Sequence, residues 1–565
     1  HGLISGRLDR LDKETKRILQ EASVIGRSFF YEILIKITDL EDFIDVGLST
    51  LERIDMIRTR AFQPDVEYMF KHPLTQEVVY NGVLKKDRQK IHERIAHVIE
   101  SVFQERLPEF YETLAFHFTQ GRSLIKAVDY LVKSGEKSLG RYAVEESHQY
   151  YKEAYELLSS KPNRTKEDDR LLIDLIMKWA LVFYYRGDFG GLTELFEENF
   201  NLAESLNDKS ILGMFYAWFG FTLACRNKNA DSYQWLKKAL QIGEENNDQI
   251  VIGYACAWIS WTCADMGLLE EAIIFGKKAQ EVYRIRELDQ YLYFKSLGGM
   301  GYTYWLRGER KKVFEIGKAM VEFGQRYSNI RSIALGHYIT ALSYFMAGDF
   351  SSTIEYSKIA IQITADPYYS KFFILLLGTC LALTNQFQEA EDLLQEVLSF
   401  GQKFGCEELE TSASAILGLI SIVKGRMSQG LKKIEEAIQV CLKNQKRVLH
   451  ASLEHTVGQV YLQILPGEEK LSLSTLAKNF GFLIKNVPFA GRKAEDNFKK
   501  AIDIAKEIGA NGTLAQAYLD LGLLNKARGR TDRARGCISK AIQLFEQAEA
   551  EVYLKQAKDA LASLG

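Results

Sequence analysis

His72 stands directly before Pro73 in MFKHPLTQEVVY (69–80), between a β-like run and an apolar run at helical spacing. Proline is favoured in the first turn of a helix, so Pro73 marks a helix start and His72 its cap. Free amides and a partial positive charge make such a terminus a natural phosphate site; a cap without a ligand is the alternative. His92 and His97 in RQKIHERIAHVIE (88–100) are five residues apart. That spacing places them about 140° apart around a helix, so they cannot share a metal the way an i, i+4 pair does. Gly276-Lys277 and Gly317-Lys318 lack the upstream glycine and the following hydroxyl of a phosphate-binding loop. Cys256 and Cys263, one heptad apart among apolar residues, suit core packing. No catalytic constellation emerges, so the region is expected to be non-enzymatic, with no metal and no cofactor of its own.

A recurring turn supplies the scaffold. RGDF (186–189), DMGLL (265–269), LRGER (306–310), MAGDF (346–350), TNQF (384–387), VKGRM (423–427) and ARGRT (527–531) mark helix–turn–helix units. The register positions 187, 227, 267, 308, 348, 385 and 425 lie 37 to 41 residues apart, with a further mark at 529. Small residues recur seven before each mark (Ala180, Gly220, Ser260, Gly301, Ala341, Gly378, Gly418, Gly522) and at several positions five and twelve after. They let antiparallel helices approach closely, which implies a stack of helical hairpins. Gly458 precedes Leu465 by seven, and Ala494 and Ala501 fit a mark at Phe489, so register survives an insertion at 466–489 inside one hairpin. Upstream, Tyr142 is a further mark. Ten hairpins are expected, at a period of about 40 residues.

The inward positions of the first helix in each hairpin include Tyr184, Phe221, Tyr254, Trp261, Tyr302, Trp305, Tyr338 and Phe345, with Lys295 and Asp174 as charged exceptions. Such a groove suits an apolar or aromatic ligand, or a partner's apolar helix, better than an acidic peptide. The alternative is that long helices bury these rings against one another. The apolar insertion either packs back on the array or serves as a docking element. Arg528, Arg530, Arg533 and Arg535 read as a solvated turn and helix start.

The first 110 residues follow another pattern. Helices are expected at Lys13–Ser23, Phe29–Ile37 and Phe43–Asp55, then strands at Ile57–Phe62 and Glu67–Phe70 joined by Gln63-Pro64-Asp65. Three helices with a β-hairpin outline a winged helix. Seven acids against Lys36 and Arg53 between Tyr31 and Ile57 would repel phosphate backbone, so nucleic acid is not the expected partner.

Composition agrees. A formal net charge of −2 gives no pull toward polyanions, and seven prolines are few, as a nearly all-helical chain requires. No apolar run spans a bilayer. Seven scattered cysteines without C-x-x-C spacing suit a reducing, cytoplasmic setting. The chain opens on His1 rather than Met, and the natural N-terminus is expected upstream.

The small-residue pattern, as in LDLGLLNKARGRTDRARGCISKAI (519–542), resembles the tetratricopeptide repeat, with a period about six residues longer than the usual 34. The run from ASVIGRSFF (22–30) to RQKIHERIAHVIE resembles the winged-helix and helical segment of signal-transduction ATPases with numerous domains. NVPFAGRKAEDNFKKAIDIAKEIGA (486–510) and AQAYLDLGLLNKARGR (515–530) look like the end of a bacterial subgroup in which many members carry an adenylate or guanylate cyclase domain. The resemblance implies an all-α, right-handed tetratricopeptide-like superhelix behind a small winged helix. Its expected divisions are 1–85 (winged helix), 86–122 (connecting helices), 123–548 (array) and 549–565 (capping helix). It also implies an ATPase module upstream in cis holding ATP or ADP, whose β-phosphate His72 would contact. The expected role is that of a sensor binding a protein or a ligand in the groove to control that module; a pure scaffold for protein assembly is the competing expectation.

Overall fold

The computed structural model describes residues 2–61, 65–286, 290–465 and 479–564. Gln63 and Pro64 of the expected hairpin turn, and 466–478 of the insertion, lie outside them. The chain forms two compact units, His1–Leu175 and Ile176–Gly565, divided within the helix Lys166–Arg186.

In the first unit, helices Lys13–Ile25, Tyr31–Ile37 and Ile44–Arg53 pack with a three-stranded sheet. The strands are β1 (Ser28–Phe30), β2 (Ile57–Ala61) and β3 (Glu67–Phe70), in the order β1-β3-β2 and antiparallel throughout. β1 departs from expectation: Ser28–Phe30 pairs with β3 before the chain turns helical at Tyr31. Asp12 caps the first of these helices by accepting from the Thr15 amide at 2.7 Å. Ile18, Leu19, Phe29, Leu34, Leu51 and Phe70 form the buried centre. Helices Pro73–Asn81, Lys85–Val102, Tyr111–Gly121, Leu124–Gly140 and Val144–Ser159 follow.

The rest is all-α, a tetratricopeptide-like array. Counting the hairpin Leu124–Ser159 of the first unit, ten hairpins are found among the described residues up to Gln547, and helix Glu551–Ala562 covers the last. Every register mark from 142 to 425, and 529 after it, adopts a left-handed backbone: Tyr142, Gly187, Asn227, Gly267, Gly308, Gly348, Asn385, Gly425 and Gly529. Glycine and asparagine dominate because other residues clash there. The amide after the mark reaches back to close the helix, as in Leu268 N to Cys263 O at 2.8 Å and Arg426 N to Ser421 O at 2.8 Å. A second set of left-handed residues joins one hairpin to the next: Asn207, Asn247, Ser328, Gly405, Gln445, Gly509 and Glu549. Each helix with its turn therefore takes about twenty residues. The short 348–385 interval has a direct cause. Helix Phe350–Ile363 ends in extended Thr364, and Pro367 starts the next helix with Asp366 as its cap, with no left-handed residue between.

Within the second unit the array winds back onto itself. Asn227 Nδ2 donates to Glu407 O at 2.9 Å, Asn511 Nδ2 to Arg307 O at 3.0 Å, and Arg310 Nη1 to Glu549 O at 3.3 Å. Turn glycines sit at these crossings: a Cβ on Gly267 would lie 2.6 Å from Ile508 Cγ2, and on Gly187 2.6 Å from the Phe400 ring. The register glycines thus have two duties, closing a helix and admitting a helix that arrives much later in the chain.

Candidate functional site

The return of the array turns the expected groove into a partly open cavity of about 280 Å³ in the second unit. First helices of successive hairpins wall it, and its surface is mostly apolar and rich in aromatic rings. Of the eight expected residues, Phe221, Trp261, Tyr302, Trp305, Tyr338 and Phe345 line it. Tyr184 and Tyr254 do not. Tyr184 is fully buried and donates to Tyr369 Oη at 2.6 Å, while Tyr254 stacks on Tyr291 at 5.4 Å between ring centres. Trp305 and Phe345 also border a second cavity of about 250 Å³.

The rings are arranged by local packing. Trp261 stacks on Tyr302 at 5.5 Å, and Tyr302 on Trp305 at 5.5 Å. Gly298 and Gly299 make room for the Trp261 indole: a Cβ on either would come within 3.0 Å of it. Trp258, three residues before Trp261 on the same helix, stacks on Phe221 at 4.8 Å.

Charge inside the cavity exceeds what the sequence led us to expect. Lys295 is only 5% exposed. Its Nζ lies 4.8 Å from the Trp261 ring centre and 5.2 Å from that of Phe221, and donates to Tyr184 Oη at 3.4 Å. Among the described residues no carboxylate is within ion-pairing distance of it. Burial holds its amine down to about 8. A second pole is built from Lys446, buried between Asp265 at 3.3 Å and Glu408 at 3.5 Å. Asp265 and Glu408 both line the cavity. Burial opposes the Lys446 charge, but its two carboxylates outweigh it and raise its pKa.

Behind the wall, Arg331 and Asp366 form an ion pair that is 2% and 0% exposed. The guanidinium lies over Tyr185, Tyr184 and Tyr369 at 3.7, 4.4 and 4.5 Å. Asp366 Oδ1 also accepts from the Tyr368 and Tyr369 amides, so the capping residue of the shortened junction is the counter-ion as well. Sequence reasoning missed Arg331, Asp366, Glu408 and Lys446. The usable signal was Asp-Pro at 366–367, a helix start out of phase with the repeat.

His72 is the N-cap residue of helix Pro73–Asn81, but its exposed imidazole makes no capping hydrogen bond; only its carbonyl accepts, from the Thr75 amide at 3.0 Å. Lys71 beside it pairs with Asp55. His92 and His97 diverge as their spacing requires. His92 is buried, with Nδ1 2.8 Å from His117 Nδ1, while His97 faces out beside Glu100 at 3.2 Å. Cys256 and Cys263 are fully buried. Arg528 and Arg530 both pair with Glu495. In the described part of the insertion Asn479 accepts from the Met427 amide at 3.0 Å and donates to Gly425 O at 2.6 Å, while Phe480, Ile484 and Phe489 stay exposed. Among the described residues no helix is long and apolar enough to cross a membrane.

No protein-family model matches the chain. An uncharacterized protein (R02095) of Rhizobium meliloti (strain 1021) is 34% identical over 93 residues, which is 16% of this chain and 9% of that protein's length. Solved structures resemble the fold at low identity. A signal-transduction ATPase with numerous domains and a tetratricopeptide-repeat sensor, from Pyrococcus horikoshii, is 15% identical over 79% of this chain and 67% of its own, with a TM-score of 0.45. A Rap protein complexed with competence and sporulation factor is 11% identical over 67% of this chain and 98% of its own, with a TM-score of 0.48. NprR in complex with its cognate peptide NprX is 11% identical over 63% and 98%, with a TM-score of 0.43.

Proposed function

We propose that this chain is the regulatory region of a bacterial, cytoplasmic multidomain signalling ATPase, and that it senses a ligand inside its repeat array. The aromatic cavity walled by Trp261, Tyr302, Trp305 and Tyr338 carries the reading. Its volume selects the class of ligand. About 280 Å³ lies near the lower bound of small-molecule sites, and we read the ligand as a compact apolar or aromatic molecule.

Three helices and the β1-β3-β2 sheet are read as a winged helix. The exposed His72, beside Lys71 at a helix N-terminus, is read as the group that contacts a nucleotide phosphate of an upstream ATPase module. In this reading that module carries the ATP or ADP, and a nucleotide cyclase is the candidate effector. Ligand in the cavity would shift the balance between off and on states by binding one of them more tightly.

The cavity is tested with the neutral probe 1-naphthaleneacetamide, followed by tryptophan fluorescence. Trp305→Ala and Tyr338→Ala are expected to weaken binding at least tenfold with unchanged helicity. Undiminished binding in both variants refutes the site, and loss of helicity shows that the rings are core. In the full-length protein, His72→Ala is expected to raise basal activity and release ADP; unchanged activity and retention of ADP remove that role.

A further inference from the structure

Lys295 is an unusual residue to find in an aromatic wall. A buried ammonium is ordinarily paired with a carboxylate, because desolvation is costly otherwise. The other cations of this interior obey the rule: Arg331 has Asp366, and Lys446 has both Asp265 and Glu408. Lys295 has ring faces and one phenol oxygen. Rings and a hydroxyl stabilise a buried cation less than a paired carboxylate would.

From this geometry, and resting on the cavity reading above, we propose that the ligand is a small ring-bearing monocarboxylate whose carboxylate pairs with Lys295 and whose ring enters the aromatic stack of Trp261, Tyr302 and Trp305. Each part of the molecule has a counterpart in the wall. The carboxylate supplies the partner that Lys295 lacks. The apolar body replaces water against indole and phenol rings, which tolerate many ring systems. The pole formed by Asp265, Lys446 and Glu408 holds one more negative than positive charge, so a second carboxylate on the ligand would meet repulsion. One anionic group is accepted, and two are not. The lowered pKa of Lys295 supports the assignment, since an arriving anion would restore its ordinary protonation.

A carboxylate can also come from the C-terminus of a peptide, and a tripeptide probe separates that source from the small molecule. The test uses calorimetry on the full chain with four probes: 1-naphthaleneacetate, its neutral amide, naphthalene-1,4-dicarboxylate, and the tripeptide acetyl-Ala-Ala-Phe with a free C-terminus. The expected result is at least tenfold preference for the monocarboxylate over the amide, and weaker binding of the dicarboxylate and the tripeptide. In Lys295→Met the monocarboxylate should fall to the level of the amide, while the amide keeps its affinity; Lys295→Gln should do the same. Equal binding of acid and amide by the native chain overturns the carboxylate assignment and leaves the cavity standing. A preference that survives both substitutions overturns the role of Lys295. Tripeptide binding tighter than that of the monocarboxylate overturns the small-molecule assignment. Binding of no probe at all overturns the cavity reading itself, and this inference with it.

Discussion

Lys295 and Trp261 hold each other twice: the ammonium lies 4.8 Å from the indole centre, and the indole Nε1 donates to the Lys295 carbonyl at 2.9 Å. The second contact ties a side chain of helix Gln249–Met266 to the backbone of helix Gln290–Arg307, the first helix of the following hairpin. Burial of this charge without an ion-paired carboxylate among the described residues sets stability against the proposed binding role.

Lys295→Met should stabilise the array at neutral pH. An amine held at about 8 rather than 10.5 corresponds to roughly 3 kcal/mol of buried-charge penalty. Below pH 8 both folded and unfolded chains carry the proton and the penalty is complete. Between pH 8 and 10.5 the unfolded chain keeps a proton the folded chain has released, so the native protein gains stability as pH rises. The advantage of the variant should accordingly be full at pH 7 and shrink toward pH 10.5. Cys225, Arg331, Asp366 and Glu408 are the charged or ionisable neighbours whose titration has to be followed alongside. Denaturant melts at pH 7 and pH 10 measure both halves; a variant less stable than native at pH 7 would show that the cation is structural.

Asp366→Asn should cost about 3–5 kcal/mol, because Arg331 would be left buried without its counter-charge. Asparagine keeps an oxygen that can accept from the Tyr368 and Tyr369 amides, so the cap survives and the loss reports on the ion pair. Arg331→Met combined with Asp366→Asn should recover most of the stability. Additive losses in the double variant, measured by urea unfolding, would contradict a coupled pair.

Glycines at the register marks should separate into two classes. Gly529→Ala meets nothing within 4 Å and bears only the left-handed backbone penalty, about 1 kcal/mol. Gly267→Ala adds a methyl 2.6 Å from Ile508 Cγ2 and should cost distinctly more. Ile508→Ala in the Gly267→Ala background should relieve the excess. Thermal midpoints of the four proteins decide it: equal losses at 267 and 529 would mean that the winding contact carries no strain.

The repeat was legible because its turn chemistry is local. A left-handed residue after a helix is restricted to few side chains, and it recurs every second helix at 187, 227, 267, 308 and 348. The turns between hairpins escaped notice because asparagine, serine, glutamine and glutamate share the task at 207, 328, 445 and 549, and the pattern dissolves among ordinary polar residues. Six of the eight groove rings were found because inward positions follow from helical spacing. Tyr184 and Tyr254 follow the same spacing, yet Tyr369 and Tyr291 cover them; Tyr369 arrives from 185 residues away. Closure of the groove was invisible for the same reason, since its contacts join residues about 180–240 apart. Helical spacing placed Lys295 at an inward position, but nothing near it in the sequence announces that Tyr184, Phe221, Trp261 and Tyr369, from four other helices, will surround its ammonium.

The buried His92–His117 pair makes the first unit acid-sensitive. The two Nδ1 atoms are 2.8 Å apart, and Tyr80 Oη lies 3.1 Å from His92 Nε2. Burial is the leading cause that lowers His92 to about 4 and His117 to about 3, with Arg88 and the neighbouring imidazole adding to it. The folded state therefore keeps both rings neutral while the unfolded chain binds protons from pH 6.5 downward. Stability must fall as pH drops from 6.5 toward 4, by roughly 3 kcal/mol for His92 alone, and is unaffected above 6.5. All six tryptophans lie beyond residue 175, so hydrogen exchange is the right readout for this unit. Corrected for intrinsic rates, protection of helix Lys85–Val102 should decline by about two orders of magnitude between pH 6.5 and 4. His92→Gln with His117→Gln should flatten that profile; an equally steep decline in the double variant would place the acid sensitivity elsewhere.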